Sequence, residues 1–224
     1  MKKLLLAASA AAVALTVTTA ANAAPTFTVT LTSNAYAIPV GVGNAGNDFS
    51  DPLKNVYGLT YEALGALVSA TEDGIVTFEY MGSESGYLDT FTGGSAVLTE
   101  TSGGTEGLFD PGKEPTSSFI PGTDLTNLLQ FTSSGGVSAK PGQSGFAVYL
   151  PGYQDVGTTY TSDVIWLAYD DGGGGPDDNH DDMIIRATIR AVPEPATWAM
   201  MVAGVAAVGL SMRRRAATTR VAFS

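Results

Sequence analysis

The sequence predicts an all-β fold, an antiparallel β-sandwich or jelly roll, and three observations carry that reading. Short segments are enriched in β-branched and aromatic residues, and several alternate apolar and polar side chains. Clusters of Gly, Asp, Asn, Ser and Pro separate them, as strand punctuation does. No strand–helix alternation and no internal repeat is visible, which excludes a parallel α/β sheet and a solenoid. At 224 residues the chain is sized for one domain, or two small ones.

The elements follow in chain order. Lys2-Lys3 form a basic start, Leu4 to Val17 an apolar run, and Ala21-Asn22-Ala23 a small-residue cleavage site. That three-part pattern is a secretory signal peptide, cut by signal peptidase after Ala23. Strands are predicted at Thr26–Thr32, Ile75–Met81, Ala96–Thr99, Ser144–Leu150, Val164–Tyr169 and Met183–Ala191. In the last of these, Ile185, Ala187 and Ile189 share one face and Arg186 and Arg190 the other. One helix-like stretch lies near Tyr61–Ser69, weakened by Tyr61 and Gly65. The Gly-rich segments 41–46, 101–107 and 133–136 read as loops, since no helix and no Lys follow to cradle a phosphate.

Between the last two strands runs Asp170-Asp171-Gly172-Gly173-Gly174-Gly175-Pro176-Asp177-Asp178-Asn179-His180-Asp181-Asp182, with six Asp in thirteen residues. Crowded hard oxygen donors on a Gly-rich loop suit Ca²⁺, which takes six to eight oxygens. The candidate ligands are Asp170, Asp171, Asp177, Asn179, Asp181 and Asp182. The alternative is a solvated acidic hairpin without an ion. His180 reads as a strand-edge residue, because Ca²⁺ prefers oxygen to imidazole.

Composition narrows the function classes. With no Cys, thiolate zinc sites, disulfides and Cys nucleophiles are excluded, and His180 is the one histidine. No Gly-x-Ser-x-Gly elbow occurs. Glu84, in Gly82-Ser83-Glu84-Ser85-Gly86, reads as a turn residue, with an acid or a ligand as the alternative. Glu79 and Glu84 make no persuasive glycosidase pair, because their separation in space decides that chemistry. Residues 24–192 carry 21 acids against five bases, a balance that argues against nucleic acid. No catalytic constellation emerges, and the chain reads as non-catalytic. A carbohydrate-binding module is the alternative, with Tyr153 and Trp166 as its candidates. Trp166, mid-strand between Ile165 and Leu167, is itself expected in the core. A secreted hydrolase ranks below both.

At the C-terminus a Pro193-Glu194-Pro195 elbow precedes Trp198-Ala199, a short apolar helix and Arg213-Arg214-Arg215. Ala196 to Met212 sits at the lower limit of a membrane span, and the Arg triplet reads as a cytoplasmic stop. These residues together resemble the PEP-CTERM sorting signal of Gram-negative bacteria that make exopolysaccharide. Pro193, Glu194, Pro195, Trp198 and Ala199 fall on its pattern, while the tail 216–224 extends beyond it. The resemblance implies processing by an exosortase, a membrane transpeptidase-like sorting enzyme. It also implies an inner-membrane-anchored intermediate facing the periplasm, then release to the cell surface or medium, in an envelope or exopolysaccharide biofilm setting.

The stretch from Gly136 to Ile189 resembles a domain of unknown function common in extracellular bacterial proteins. That domain ends in Phe-Glu-Asp, a Gly run and Asp-x-Asp-x-Asn-Asp ahead of a last strand. Asp170, Asp171, Asp177 and Asp182 match in kind, and Asn179 and Asp181 exchange Asp and Asn. The resemblance implies calcium binding. The expected organisation is a signal peptide at 1–23, a β-sandwich ectodomain at 24–191, and a sorting tag with a short transmembrane helix at 192–224.

Overall fold

The structure, a computed structural model, describes residues 23–40, 46–101, 113–172, 179–193 and 195–217. Strands β1 (Phe27–Thr30) and β2 (Tyr36–Ala37) precede helix α1 (Ser50–Tyr57). Then come β3 (Tyr61–Leu64), β4 (Leu67–Ala70), β5 (Gly74–Gly82), β6 (Asp89–Gly93), β7 (Ala96–Thr99) and β8 (Thr116–Ile120). Next are β9 (Leu129–Ser133), β10 (Ser138–Ala139), β11 (Phe146–Leu150), β12 (Thr159–Ser162), β13 (Val164–Tyr169) and β14 (Met183–Ala191). Helix α2 (Pro195–Ala217) closes the described chain. The predicted strands at 96–99, 164–169 and 183–191 coincide with β7, β13 and β14.

Three antiparallel sheets build the sandwich. The largest has the order β2-β3-β11-β13-β14-β5-β8; a second runs β10-β9-β6-β7, and a third β12-β1-β4. Period-two burial turns Val76, Phe78 and Tyr80 of β5 inward, and Ile185, Ala187 and Ile189 of β14 join them. From the second sheet, Phe91 packs 5.0 Å from Phe78 and 5.0 Å from Phe131, which stacks on Tyr169 at 5.1 Å. These rings tie β6 and β9 to β5 and β13, and such pairs favour offset or tilted geometry. At Gly93 an added Cβ would lie 2.5 Å from the Phe78 ring, so only glycine admits this approach.

A smaller apolar cluster, including Phe49, Leu53, Met81, Tyr149, Trp166 and Ile184, packs α1 against the seven-stranded sheet. Helix α1 was not expected. It is eight residues long with Leu53 as its buried residue, so it carries almost no helical periodicity. Gly58, at φ +70°, ends it in the left-handed conformation. The helix-like stretch near Tyr61–Ser69 is corrected to strands β3 and β4, parted by Gly65 at φ +59°. Pairing with β11 and β1 supplies what local propensity lacked.

Helix α2 forms where the C-terminal helix was expected and leaves Trp198, Met200, Val202, Val205 and Leu210 exposed. Among the described residues no helix is long and apolar enough to cross a membrane. The apolar run of α2 is diluted by Ala and Gly, and its last turns include the Arg213–Arg215 segment.

Candidate metal centre

The acidic connection joins two central strands of the largest sheet. Tyr169 pairs with Met183 at the end of the β13–β14 ladder, and the Asp182 N–H donates to the Tyr169 carbonyl at 3.1 Å. The Asp170 N–H donates to the Gly145 carbonyl at 3.1 Å, just ahead of β11. Asp170 and Asp182 are therefore held at the mouth of the connection by sheet geometry. Asp177 and Asp178 lie outside the described residues.

The expected ligands divide. Asp170, Asp171 and Asp182 bring one carboxylate oxygen each within 4.8 Å of one another. Asp170 is fully buried; Asp171 and Asp182 are half-buried. The Asp171 N–H donates to Asp182 Oδ2 at 2.6 Å, the Gly172 N–H to Asp170 Oδ1 at 2.7 Å, and Ser85 Oγ to Asp171 Oδ2 at 2.7 Å. Each of the three carboxylates thus accepts at least one hydrogen bond that orients it.

Asp181 belongs to a second group, with Asp48 and Glu84, again with oxygens within 4.8 Å. Its Oδ2 accepts the Asp48 N–H at 2.8 Å, and its carbonyl accepts the Glu84 N–H at 3.1 Å. Asn179 serves the chain ahead of α1. Its Nδ2 donates to the Gly46 carbonyl at 3.0 Å, and its own carbonyl accepts Asn47 Nδ2 at 3.0 Å. His180 sits at φ +52° in the turn before β14 and is fully buried, not at a strand edge. Its Nε2 donates to the Ser144 carbonyl at 2.7 Å, and Nδ1 stands 3.9 Å from Glu62 Oε2.

Burial governs the electrostatics. It pushes the Asp182 carboxyl well above the usual carboxylate range; the Asp171 N–H opposes this, and the charges of Asp171, Asp170 and Asp181 add to it. Asp181 is raised in the same way by burial, then by Glu84 and Asp48, against the Asp48 N–H. Asp89, which opens β6, is pushed up to about 6 by burial, with the Asp171 charge reinforcing it against the Ser133 and Ser85 hydroxyls. A bound cation reverses this balance, since opposite charge favours the ionised form. Hard oxygens in such density can hold a divalent cation, and no nucleophile–base pair stands among them.

Reasoning from sequence did not include Asp48 and Asp89, and left Glu84 between turn and ligand. Asp89 carried a signal: it shares inward parity with Phe91 and Gly93, and an acid on the buried face of a strand is uncommon. Asp48 carried none, because its place depends on where α1 docks.

Trp166 is buried, with its ring 4.4 Å from that of Tyr57, so it is not a binding platform. Tyr153 is exposed and touches Tyr61 edge-on at 5.9 Å. It follows the far end of β11, whose five residues put about 17 Å between it and the acidic connection. Glu79 pairs with Arg186 across β5 and β14 at 3.1 Å.

The PEP-CTERM protein-sorting motif matches residues 191–215, which contain Pro193, Glu194, Pro195, Trp198, Ala199 and the Arg triplet. The match marks the C-terminus as a tag for exosortase processing of an exported protein, through a membrane-anchored intermediate. Neither a curated protein nor a solved structure matches the chain. No relative supports the resemblance of the 136–189 region to a calcium-loop domain.

Proposed function

We propose that this chain is a non-catalytic protein of the envelope or exopolysaccharide matrix, delivered by its tag and holding Ca²⁺ at Asp170, Asp171 and Asp182. The observation that carries the calcium reading is the convergence of three carboxylates on one point at the mouth of the β13–β14 connection. Their mutual repulsion in a partly desolvated site is relieved by a divalent cation more effectively than by dispersed counterions. Asp177, in the same connection, is a further candidate ligand. Signal peptidase removes residues 1–23, and the exosortase acts at the tag. Helix α2, whose apolar run is diluted by Ala and Gly, suits a transient anchor that is surrendered on processing, because a weakly apolar segment is held loosely by lipid.

Calorimetry of the purified full chain tests the calcium reading. The melting temperature should rise with Ca²⁺ over chelator and rise less with Mg²⁺, which demands octahedral geometry and gives up water reluctantly. Identical melts in all three conditions would mean a solvated acidic turn. A carbohydrate array tests the matrix setting: binding that chelator removes would make the domain lectin-like.

A further inference from the structure

We propose that the outer face of the seven-stranded sheet at Phe119, Ile75 and Arg190 is a lipid contact, which seats the sandwich on the membrane surface while α2 holds the chain there. The inference rests on the reading of the tag as the anchor of a membrane-bound intermediate, and it adds a second contact made by the folded domain itself.

Three neighbouring strands place these residues in one row. Period-two alternation turns Val76 and Ile120 inward and leaves Ile75 and Phe119 exposed. The ladders set Phe119 opposite Ile75, and Ile75 opposite Arg190, across β8, β5 and β14. At about 4.8 Å between strands, the row is about 10 Å long. Phe119 is more than half exposed, and Val192, just past β14, adds another exposed apolar side chain. On the same sheet Trp166 is buried in the cluster beneath α1, whereas this row is left uncovered.

The row stands where the chain leaves for lipid. Residues 192–194 alone separate β14 from α2, a reach of at most about 14 Å over four Cα steps. The chain also enters the sandwich at this end. The Thr26 N–H donates to Thr71 Oγ1 at 3.0 Å and the Thr71 N–H to the Thr26 carbonyl at 2.9 Å, just ahead of β5. The acidic connection lies at the opposite end of β14, about 27 Å away. An anchored α2 therefore presents the Phe119 end to the membrane and keeps the acidic end away from it.

The chemistry of the row fits a lipid surface. Phe119 and Ile75 suit the acyl boundary, and an Arg beside them can bury its stem while its head reaches phosphate. So small a patch would not hold a free protein on a membrane. Tethered by three residues, it binds as an intramolecular step at high effective concentration. Glu72, Asp73 and Asp163 are exposed at the same end, so the contact is apolar in origin and anionic headgroups oppose it. Seating the sandwich fixes the Pro193-Glu194-Pro195 elbow at the membrane surface, where a membrane enzyme must reach it.

The chain has no Cys, so a polarity-sensitive dye can be attached at one introduced Cys at a time. The positions are Ser117→Cys, exposed two residues from Phe119; Val205→Cys in α2; and Leu88→Cys, exposed in the connection whose Ser85 bonds Asp171. Each labelled full chain is reconstituted in phosphatidylcholine vesicles. Emission should shift to the blue at 117 and at 205 but not at 88, and Phe119→Glu with Ile75→Glu should remove the shift at 117 alone. A shift at 205 without one at 117 overturns the inference and leaves the anchor standing. No shift at 205 overturns the anchor reading and this one together. A blue shift at 117 in the absence of vesicles would mean that copies of the chain cover the row, and equal shifts at 117 and 88 would mean unspecific adsorption; either result overturns the proposal. If the double glutamate variant does not fold, the contrast between 117 and 88 in the otherwise wild-type chain decides.

Discussion

Asp181 and Asp182 are adjacent in the chain, yet their carboxylates enter different clusters: Asp181 joins Asp48 and Glu84, and Asp182 joins Asp170 and Asp171. The His180 turn at φ +52° precedes them, and a register shift at Ile184/Ile185 follows. Two carboxylate groups are thereby packed at one end of the largest sheet, with one dipeptide serving both.

That division makes the calcium response residue-specific. Binding to the folded state alone adds about 2.7 kcal/mol at a hundredfold excess over Kd. In a domain of this size that raises Tm by roughly 2–4 °C per kcal/mol. Asp182→Asn should abolish the rise, whereas Asp48→Asn, in the other cluster, should retain it. Differential scanning calorimetry with Ca²⁺ and with chelator reads both, and equal loss in the two variants would refute the assignment.

Without a cation, stability should fall as pH rises. Asp89 is pushed to about 6 by burial, and Asp181 and Asp182 are raised further, each surrounded by other acids. A carboxyl raised in the folded state binds its proton more tightly there than in the unfolded chain. Its contribution is whole below about pH 4 and is lost as pH climbs through the folded value. Thermal melts in chelator should therefore drop from pH 5 to pH 8, and saturating Ca²⁺ should flatten the slope. A level profile in chelator would show that these carboxyls are not raised.

The tag should be separable from the fold. Val192 and Pro193 are exposed and lie beyond β14, so replacing Pro193-Glu194-Pro195 with alanines should leave the melting temperature unchanged. Processing should stop, and mass spectrometry should find the Arg213–Arg215 end retained. Wild-type protein at the cell surface still carrying that triplet would count against exosortase cleavage.

The aromatic stack should dominate the stability of the sandwich. Phe131 is fully buried against Phe91, Phe146 and Tyr169. Phe131→Ala should cost about 3–5 kcal/mol through lost burial and the cavity left behind. Urea unfolding measures it, and a loss under 1 kcal/mol would mean that the layers close without this ring.

The sequence by itself determined the fold class, the longest central strands and the sorting tag. Strands such as β5 and β14 announce themselves because alternation of Val76, Phe78 and Tyr80, or of Ile185, Ala187 and Ile189, is a local property of the chain. The tag is linear, so Pro193 to Arg215 could be read without a fold. The short strands β3 and β4 and the helix α1 show no clean period, and neighbours decide them. The acidic connection was likewise visible as a run, but its division was not. Only the tertiary structure sent Asp181 toward Asp48 and Glu84 and held Asn179 against Gly46. The physical reason is that periodicity is written along the chain, whereas a carboxylate cluster depends on strand order and layer packing, which bring together residues as far apart as Asp48 and Asp181, 133 positions along the chain.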